Sequence, residues 1–154
     1  MKKLLQLCAY GLLAAAVFIA DRASKTYALQ NFVESVQLNR FISVELVFNR
    51  GISWGMLRFD DHRLFLLVSV LVITVCLLLA LYACKRWYES KLIIGETMVF
   101  AGALSNVLDR FWYGGVVDFI VISYESWVFP IFNIADVCIV GGVFLMCLFA
   151  ADDA

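Results

Sequence analysis

The sequence predicts a membrane protein that is mainly α-helical, with four transmembrane helices and a small extramembrane β-sheet on the outer face. Composition is the first observation behind this prediction: 64% of the 154 residues are hydrophobic and 16% are charged, whereas a soluble domain is about a quarter charged. The second observation is the order of segments, because apolar runs long enough to cross a bilayer are separated by polar stretches. The length suggests a single domain over residues 1–154.

The first predicted span covers residues 4–20, an apolar run that is interrupted by Gln6. Two lysines precede it, so the segment also resembles a secretory signal peptide. Three more apolar segments follow, which makes an uncleaved helix the simpler interpretation. The polar stretch that begins at Asp21 is predicted to end this helix. Asp21 and Lys25 have the i,i+4 spacing of an ion pair on one helix face.

Residues 31–59 differ from the rest of the chain because they are too polar to span a membrane. Their β-branched and aromatic residues alternate roughly with polar ones, which is typical of short strands with one buried face. We therefore expect this region to form a small sheet on the membrane surface. Gly51 and Gly55 bracket the bulky Trp54, which indicates a tight turn.

The other predicted spans cover residues 64–84, 92–108 and 131–150. Glu96 lies near the start of the third span, from where its carboxylate can reach the lipid headgroups. A structural role is therefore expected for it. Asp136 is predicted to lie about one and a half turns inside the fourth span.

The distribution of basic residues predicts the orientation of the chain. The short loop between the second and third spans contains Lys85, Arg86 and Lys91, whereas the excursion between the third and fourth spans, residues 109–130, contains Arg110 alone. Short loops rich in Lys and Arg stay on the cytoplasmic side, so both termini are predicted to be cytoplasmic. The unusual polar residues then all lie at the outer face, which indicates a single site.

Composition also argues against several classes of function. The net charge is −1 and no basic run exists to follow a phosphate backbone, so nucleic acid is not an expected partner. The five cysteines lie in or at the ends of apolar segments without a C-x-x-C pair, and His62, the one histidine, is distant from them in sequence. Neither a metal nor another cofactor is therefore expected.

Ionisable side chains at membrane depth are costly, and by default they mark function. Four aspartates are candidates: Asp21, Asp109, Asp118 and Asp136. Two carboxyl groups that converge can share one proton and activate a water. Asp109 stands beside Arg110, and this cation is expected to hold Asp109 ionised in a structural ion pair that fixes the outer end of the third span.

Asp118 and Asp136 are both flanked by apolar residues, which favour the neutral form of an acid. These two form the predicted dyad of an intramembrane aspartic peptidase, and the alternative replaces Asp118 by Asp109. Asn133, three residues before Asp136, can hydrogen-bond the site or a substrate carbonyl. A further alternative makes all these carboxylates helix caps and helix-end ion pairs.

Five motifs resemble those of the lipoprotein signal peptidases, also called signal peptidases II, over nearly the whole chain. They are Asp21…Lys25, Phe48-Asn49-Arg50-Gly51, Asn106-x-x-Asp109-Arg110, Val116-Val117-Asp118-Phe119 and Phe132-Asn133-x-Ala135-Asp136. Two places depart from the family pattern: Ser105 stands where glycine is preferred, and Ile52-Ser53-Trp54 replaces a smaller Ala-Ala-Phe. The polar residues are kept, so these departures concern the detail of the pocket.

The resemblance implies an endopeptidase of the bacterial inner membrane that removes the signal peptide from a prolipoprotein, on the amino side of a diacylglyceryl-modified cysteine. It implies that Asp118 and Asp136 are catalytic. The residues expected to bind substrate or support the site are Asn49, Arg50, Gly51, Asn106, Asp109, Arg110, Asn133, Ala135, Asp21 and Lys25. Other expected partners are membrane lipid and cyclic peptide inhibitors of the globomycin type, and the protein is expected to be a monomer.

Two other classes of function also place charge in a membrane. A proton or ion carrier needs carboxylates along a path across the bilayer, but the middles of the second and third spans are apolar. A non-catalytic assembly factor would not need a second convergent aspartate.

Overall fold

The computed structural model describes residues 1–32, 34–51 and 62–152. Over these residues the chain forms four helices and four strands: α1 (Lys2–Asn31), β1 (Val36–Gln37), β2 (Ile42–Asn49), α2 (His62–Tyr88), α3 (Ile94–Tyr113), β3 (Val116–Tyr124), β4 (Trp127–Val128) and α4 (Ile134–Asp152). The prediction of a mainly helical protein with a small sheet is confirmed. The predicted turn at Trp54, the departure at residues 52–54 and the polar loop before α2 lie outside the described residues.

Two helices in the described part of the chain are long and apolar enough to cross a membrane, namely α1 and residues Arg63–Tyr88 of α2. The apolar part of α4, Ile134–Phe149, is shorter. Large apolar side chains such as Leu67 and Leu81 are exposed along α2. An apolar surface of this extent is typical of contact with lipid.

The first helix continues to Asn31, so the prediction that it ends near Asp21 is wrong. The predicted ion pair does form, with Lys25 Nζ 2.7 Å from Asp21 Oδ2, and both side chains are fully buried. Because these charges are neutralised within the protein, they do not require the helix to end at water.

The sheet is antiparallel in the order β1-β2-β3-β4, and only half of it comes from the predicted region. The long strand β3 and the short β4 lie in the excursion for which no strand was expected. In the central pair, Val47 lies opposite Asp118 and Asn49 opposite Val116. This register carries Asn49 and Asp118 to the same part of the sheet.

The fourth helix begins at Ile134, later than predicted, because Phe132 first forms a bridge with Ile120 of β3. Asp136 therefore lies in the first turn of α4, and not one and a half turns inside it. The sheet and the helix start are thus joined directly.

Helices α3 and α4 run antiparallel and pack through glycines. A Cβ atom at Gly95 would lie 2.5 Å from the carbonyl oxygen of Gly142, and one at Gly102 would lie 2.8 Å from that of Ala135. Real Cβ atoms do not approach so closely, so the helices can be this near only because these positions are glycine. Gly102 lies one turn before Asn106, and Ala135 is next to Asp136.

Substitution of Gly102 by alanine is therefore expected to push α4 away from α3 and to lower both stability and activity. Overpacking of this kind costs about 1–3 kcal/mol, and it should lengthen the contact between the side chains of Asn106 and Asp136. Thermal unfolding in detergent and substrate turnover measure the two effects. Gly141→Ala is the matched control, because its Cβ would meet Met98 Cε at an ordinary 3.7 Å. Equal results for the two variants would contradict this account.

A second charged pair lies at the opposite end of the helices, where α2 ends and α3 begins. Arg86 Nε is 2.8 Å from Glu96 Oε1, and both side chains are buried. The expectation that Glu96 reaches the headgroups is thus wrong, because its carboxylate turns toward α2. Nearby, the rings of Tyr10 and Trp87 make an edge contact at 5.8 Å that joins α1 to this end.

Candidate active site

Asp118 and Asp136 reach the same cavity from different elements, β3 and α4. The cavity has a volume of about 440 Å³. Its polar lining also includes Asn49, Asn106 and Arg110. The rest of its wall is apolar and consists of Val116, Ile122, Phe129, Pro130, Ile131, Phe132, Val137, Ile139 and Val140.

Asp118 is 2% exposed and receives a hydrogen bond on each carboxylate oxygen. Asn133 Nδ2 donates to Oδ1 at 2.7 Å, and Asn49 Nδ2 donates to Oδ2 at 2.8 Å. Burial, followed by the nearby Asp136 carboxylate, raises the pKa of Asp118 to about 7, although these hydrogen bonds and the Lys25 charge act in the opposite direction. Asp118 can therefore hold a proton near neutral pH.

Asp136 is held by the turn that begins α4. The backbone N–H of Asn133 donates to its Oδ2 at 3.1 Å, while its own N–H donates to Asn133 Oδ1 at 2.9 Å. This reciprocal pair is a capping box, which satisfies two N–H groups at the helix start. Asn106 Nδ2 donates to Asp136 Oδ1 at 3.0 Å.

Asn133 links the two aspartates, because its side chain bonds Asp118 and its backbone bonds Asp136. The prediction that Asn133 hydrogen-bonds the site is confirmed. Its side-chain NH₂ group also lies 3.2 Å from Asn106 Oδ1. Three asparagines from β2, α3 and the start of α4 thus surround the two carboxyl groups.

Asp109 is not paired with Arg110, so the predicted ion pair is wrong. The fully buried Asp109 carboxylate bonds Arg22 Nη1 and lies 2.7 Å from Lys25 Nζ. Consecutive residues on a helix do not face the same way, so Asp109 faces α1 while Arg110 faces the cavity. The backbone N–H of Val117 also donates to Asp109 Oδ2 at 3.2 Å, which ties the start of β3 to α3.

Arg110 contacts two backbone carbonyls from its position in the cavity wall. Nη1 donates to Asn106 O at 3.1 Å and Nη2 to Gly51 O at 3.3 Å. Its Nε is buried and has no hydrogen-bond partner among the described residues. The Arg110 side chain thus lines the cavity while its guanidinium is held by backbone carbonyls of α3 and of the segment after β2.

The other predicted site residues support the cavity from outside it. The N–H of Ala135 donates to Asp21 Oδ1 at 2.8 Å, and Gly51 N–H donates to Asn49 Oδ1 at 2.9 Å. Arg50 lies apart, with Nε 3.3 Å from the carbonyl of Gly114. The Gly51 contact orients Asn49, whose NH₂ group then points to Asp118.

The sequence analysis gave no role at the site to Arg22 or Ser105, which both contact the buried charge cluster. Arg22 neutralises Asp109 and lies over the ring of Trp112 at 5.2 Å. The hydroxyl of Ser105 donates to Asp21 Oδ2 at 2.6 Å, so the departure from glycine adds a contact to the buried charge cluster. The spacing of Arg22 and Lys25, three residues apart on one helix, was the available signal for Arg22.

Comparison with known proteins agrees with this arrangement. The profile of the family described as signal peptidase (SPase) II matches residues 13–151. The lipoprotein signal peptidase of Polynucleobacter necessarius subsp. necessarius is 36% identical over 148 residues, covering 94% of this chain and 90% of that protein. The lipoprotein signal peptidase of Anaplasma marginale is 34% identical over 135 residues, covering 86% and 78%.

Solved structures show the same fold. A bacterial membrane enzyme determined by the in meso method superposes with a TM-score of 0.75 at 27% identity, covering 94% of this chain and 88% of that one. A second has a TM-score of 0.72 at 26% identity, covering 95% and 94%. The fold and these matches define a membrane peptidase of the aspartic class. Within that class, the chain belongs to the signal peptidase II family.

Proposed function

We propose that this protein removes the signal peptide from bacterial prolipoproteins, cleaving on the amino side of a diacylglyceryl-modified cysteine, with Asp118 and Asp136 as the catalytic pair. The observation that carries the proposal is the meeting of these two carboxyl groups, from β3 and α4, in one cavity of about 440 Å³. Membership of the signal peptidase II family supports the substrate class.

In the proposed mechanism, Asp118 carries the shared proton and Asp136 is ionised. Asp136 lies in the first turn of α4 and accepts a backbone N–H, and both features favour a negative charge. Asp136 takes a proton from a bound water as that water attacks the scissile carbonyl. Asp118 donates its proton to the carbonyl oxygen and so stabilises the charge that develops there.

The remaining polar residues of the cavity hold the peptide. Arg110, which lines the cavity, donates from its guanidinium to a substrate carbonyl, and Asn49, Asn106 and Asn133 orient the two carboxyl groups. The apolar wall suits the lipid chains and the apolar part of a signal peptide. Lipid contact along the helices and inhibition by globomycin-type cyclic peptides belong to the same proposal.

Cleavage of a synthetic diacylglyceryl lipopeptide by the purified protein in detergent tests this function. Mass spectrometry should show hydrolysis of the bond before the lipidated cysteine, with EDTA present and with no cleavage of the same peptide lacking the lipid. Cleavage at another bond, or equal cleavage of both peptides, would contradict the proposal. An ion carrier or an assembly factor would leave both peptides intact.

Activity is expected to fall as the pH rises through about 7. Because the pKa of Asp118 is raised to about 7, this group holds its proton below that pH and loses it above, and the ionised form cannot act as the acid. The apparent pKa of this pH profile belongs to the coupled pair, since the two carboxyl groups interact. The profile of kcat/KM between pH 5.5 and 9, with unfolding temperature measured at each pH as the control, checks the prediction. A constant kcat/KM up to pH 9 would contradict it.

We further propose four spans, formed by the four helices, in the bacterial inner membrane with both termini in the cytoplasm. Lys85 and Arg86 lie in the last turn of α2, and Lys91 lies between α2 and α3. The positive-inside rule counts basic residues near the ends of the spans regardless of paired acids, so the Arg86–Glu96 contact does not weaken the argument for this topology. A reporter fused after Ala154 is expected to read cytoplasmic, and one inserted near Asp61 to read outside. The reverse pattern would contradict this topology and place the site on the cytoplasmic face.

A further inference from the structure

The ammonium group of Lys25 has three acceptors, one for each of its N–H groups. It lies 2.7 Å from Asp21 Oδ2, 2.7 Å from Asp109 Oδ2 and 2.6 Å from Asn106 Oδ1. The side chain is fully buried, so water does not compete for these contacts. Two acceptors are carboxylates that balance the charge, whereas the third is a neutral amide that contacts the active site.

The two ends of the Asn106 amide have different hydrogen-bonding roles, since the oxygen accepts and the NH₂ group donates. Its oxygen accepts hydrogen bonds from Lys25 at 2.6 Å and from Asn133 at 3.2 Å, while its NH₂ group donates to Asp136 Oδ1 at 3.0 Å. If the amide were turned over, its NH₂ group would face the ammonium and its oxygen would face the carboxylate. Charge-assisted hydrogen bonds are about twice as strong as neutral ones, so the Lys25 ammonium at one end of the amide and the ionised Asp136 carboxylate at the other both favour this orientation.

We propose that Lys25 is a positioning residue for the reaction: by binding Asn106 Oδ1, it holds the NH₂ group of Asn106 on the Asp136 carboxylate. The proposal rests on the catalytic role proposed above for Asp136. The fixed N–H on Oδ1 and the backbone N–H on Oδ2 keep Asp136 in one orientation, in which a defined lone pair faces the water. The hydrogen-bond acceptors of Lys25 are Asp21, Asp109 and Asn106, and of these Asn106 is the one that donates to Asp136.

The competing explanation is that Lys25 only balances the buried charges of Asp21 and Asp109. The double variant Lys25→Met/Asp21→Asn distinguishes the positioning role from charge balance, because it removes one positive and one negative charge together and so leaves the net charge unchanged. An asparagine at position 21 keeps an oxygen for the N–H of Ala135 and an NH₂ group for the Ser105 oxygen, which are the partners of Asp21 other than Lys25. The double variant Lys25→Gln/Asp21→Asn has the same charge but restores an N–H donor for Asn106.

Turnover of the diacylglyceryl lipopeptide by the purified proteins gives the decisive comparison. Lys25→Met/Asp21→Asn is expected to unfold near the wild-type temperature but to lose at least about tenfold in kcat, with KM within about threefold. Lys25→Gln/Asp21→Asn is expected to recover most of that loss, since a donor to Asn106 is restored without a charge. Wild-type kcat in the methionine double variant would overturn the proposal and leave charge balance as the role of Lys25.

A double-mutant cycle with Asn106 gives a second test that keeps the positive charge and does not rely on the methionine variant folding. Lys25→Arg retains the charge, but a planar guanidinium cannot reproduce the compact group of three donors. It is expected to lower kcat at least about fivefold when Asn106 is present and less than about twofold in an Asn106→Ala background. Equal losses in both backgrounds would overturn the positioning role. A wild-type protein that fails to cleave the lipopeptide would instead overturn the proposed function itself.

Discussion

Asp118→Asn and Asp136→Asn are each expected to reduce cleavage of a lipidated substrate to background while leaving its binding within about threefold. Asparagine keeps the shape of the side chain and its capacity for hydrogen bonds. It can neither take a proton from the attacking water nor deliver one to the carbonyl oxygen. General acid–base catalysis contributes roughly 10²–10⁴-fold, so the loss is well within the range of a single-turnover assay, which separates chemistry from product release.

Asp109→Asn is the matched control, because Asp109 is a fully buried aspartate that faces α1 and not the cavity. The fraction of this variant that folds is expected to retain measurable cleavage. Robust cleavage by Asp118→Asn, together with folded but inactive Asp109→Asn, would assign the catalytic role to Asp109. That result would also show that apolar flanking residues do not predict which aspartate is catalytic.

The polar residues of the site could be predicted from the sequence because ionisable side chains are costly in a membrane-spanning chain, so their presence indicates a function. Asp118, Asp136 and Asn133 were singled out in this way, Asn49 and Asn106 were expected from the resemblance of their motifs, and the structure brings these residues into contact. Helix spacing also predicted the pair of Asp21 and Lys25. These inferences depend on separations of a few residues, or on the expectation that polar groups in an apolar chain converge.

Partners that are distant in sequence could not be predicted in the same way. Asp109 is 87 residues from Arg22 and was assigned to its neighbour Arg110 because adjacency was the information available. On a helix that neighbour points to another face. The charged residues after position 20 were for the same reason interpreted as a helix end, although α1 buries them against α3 and continues to Asn31.

The strand β3 was missed for a different reason. Its sequence from Val116 to Ile122 is apolar except for Asp118 and rich in β-branched residues, and Gly114 and Gly115 precede it. A short apolar run of this kind cannot be assigned to a strand or a helix by periodicity alone. In a chain with so many apolar runs, its pairing with β2 becomes evident only from the register in which Asn49 lies opposite Val116.

Asp109→Ala is expected to destabilise the protein by about 3–5 kcal/mol, the usual cost of removing one partner from a buried ion pair. The carboxylate is fully buried and accepts hydrogen bonds from Arg22, Lys25 and the backbone N–H of Val117. Its loss leaves the fully buried ammonium of Lys25 with one carboxylate in place of two. It also releases the start of β3 at Val117, one residue before Asp118, so activity should fall together with stability.

Glu89→Ala is the control for this measurement, because Glu89 also pairs with a cation, Lys85 at 3.8 Å, but its side chain is 42% exposed. Exposed pairs contribute about 0–1 kcal/mol, so this variant should unfold close to the wild-type temperature. Thermal unfolding of both variants in the same detergent makes the comparison direct. Equal stability of the two would mean that water or another group replaces the Asp109 carboxylate. In that case the ion cluster between α1 and α3 would not be the contact that holds β3 and Asp118 against the helices.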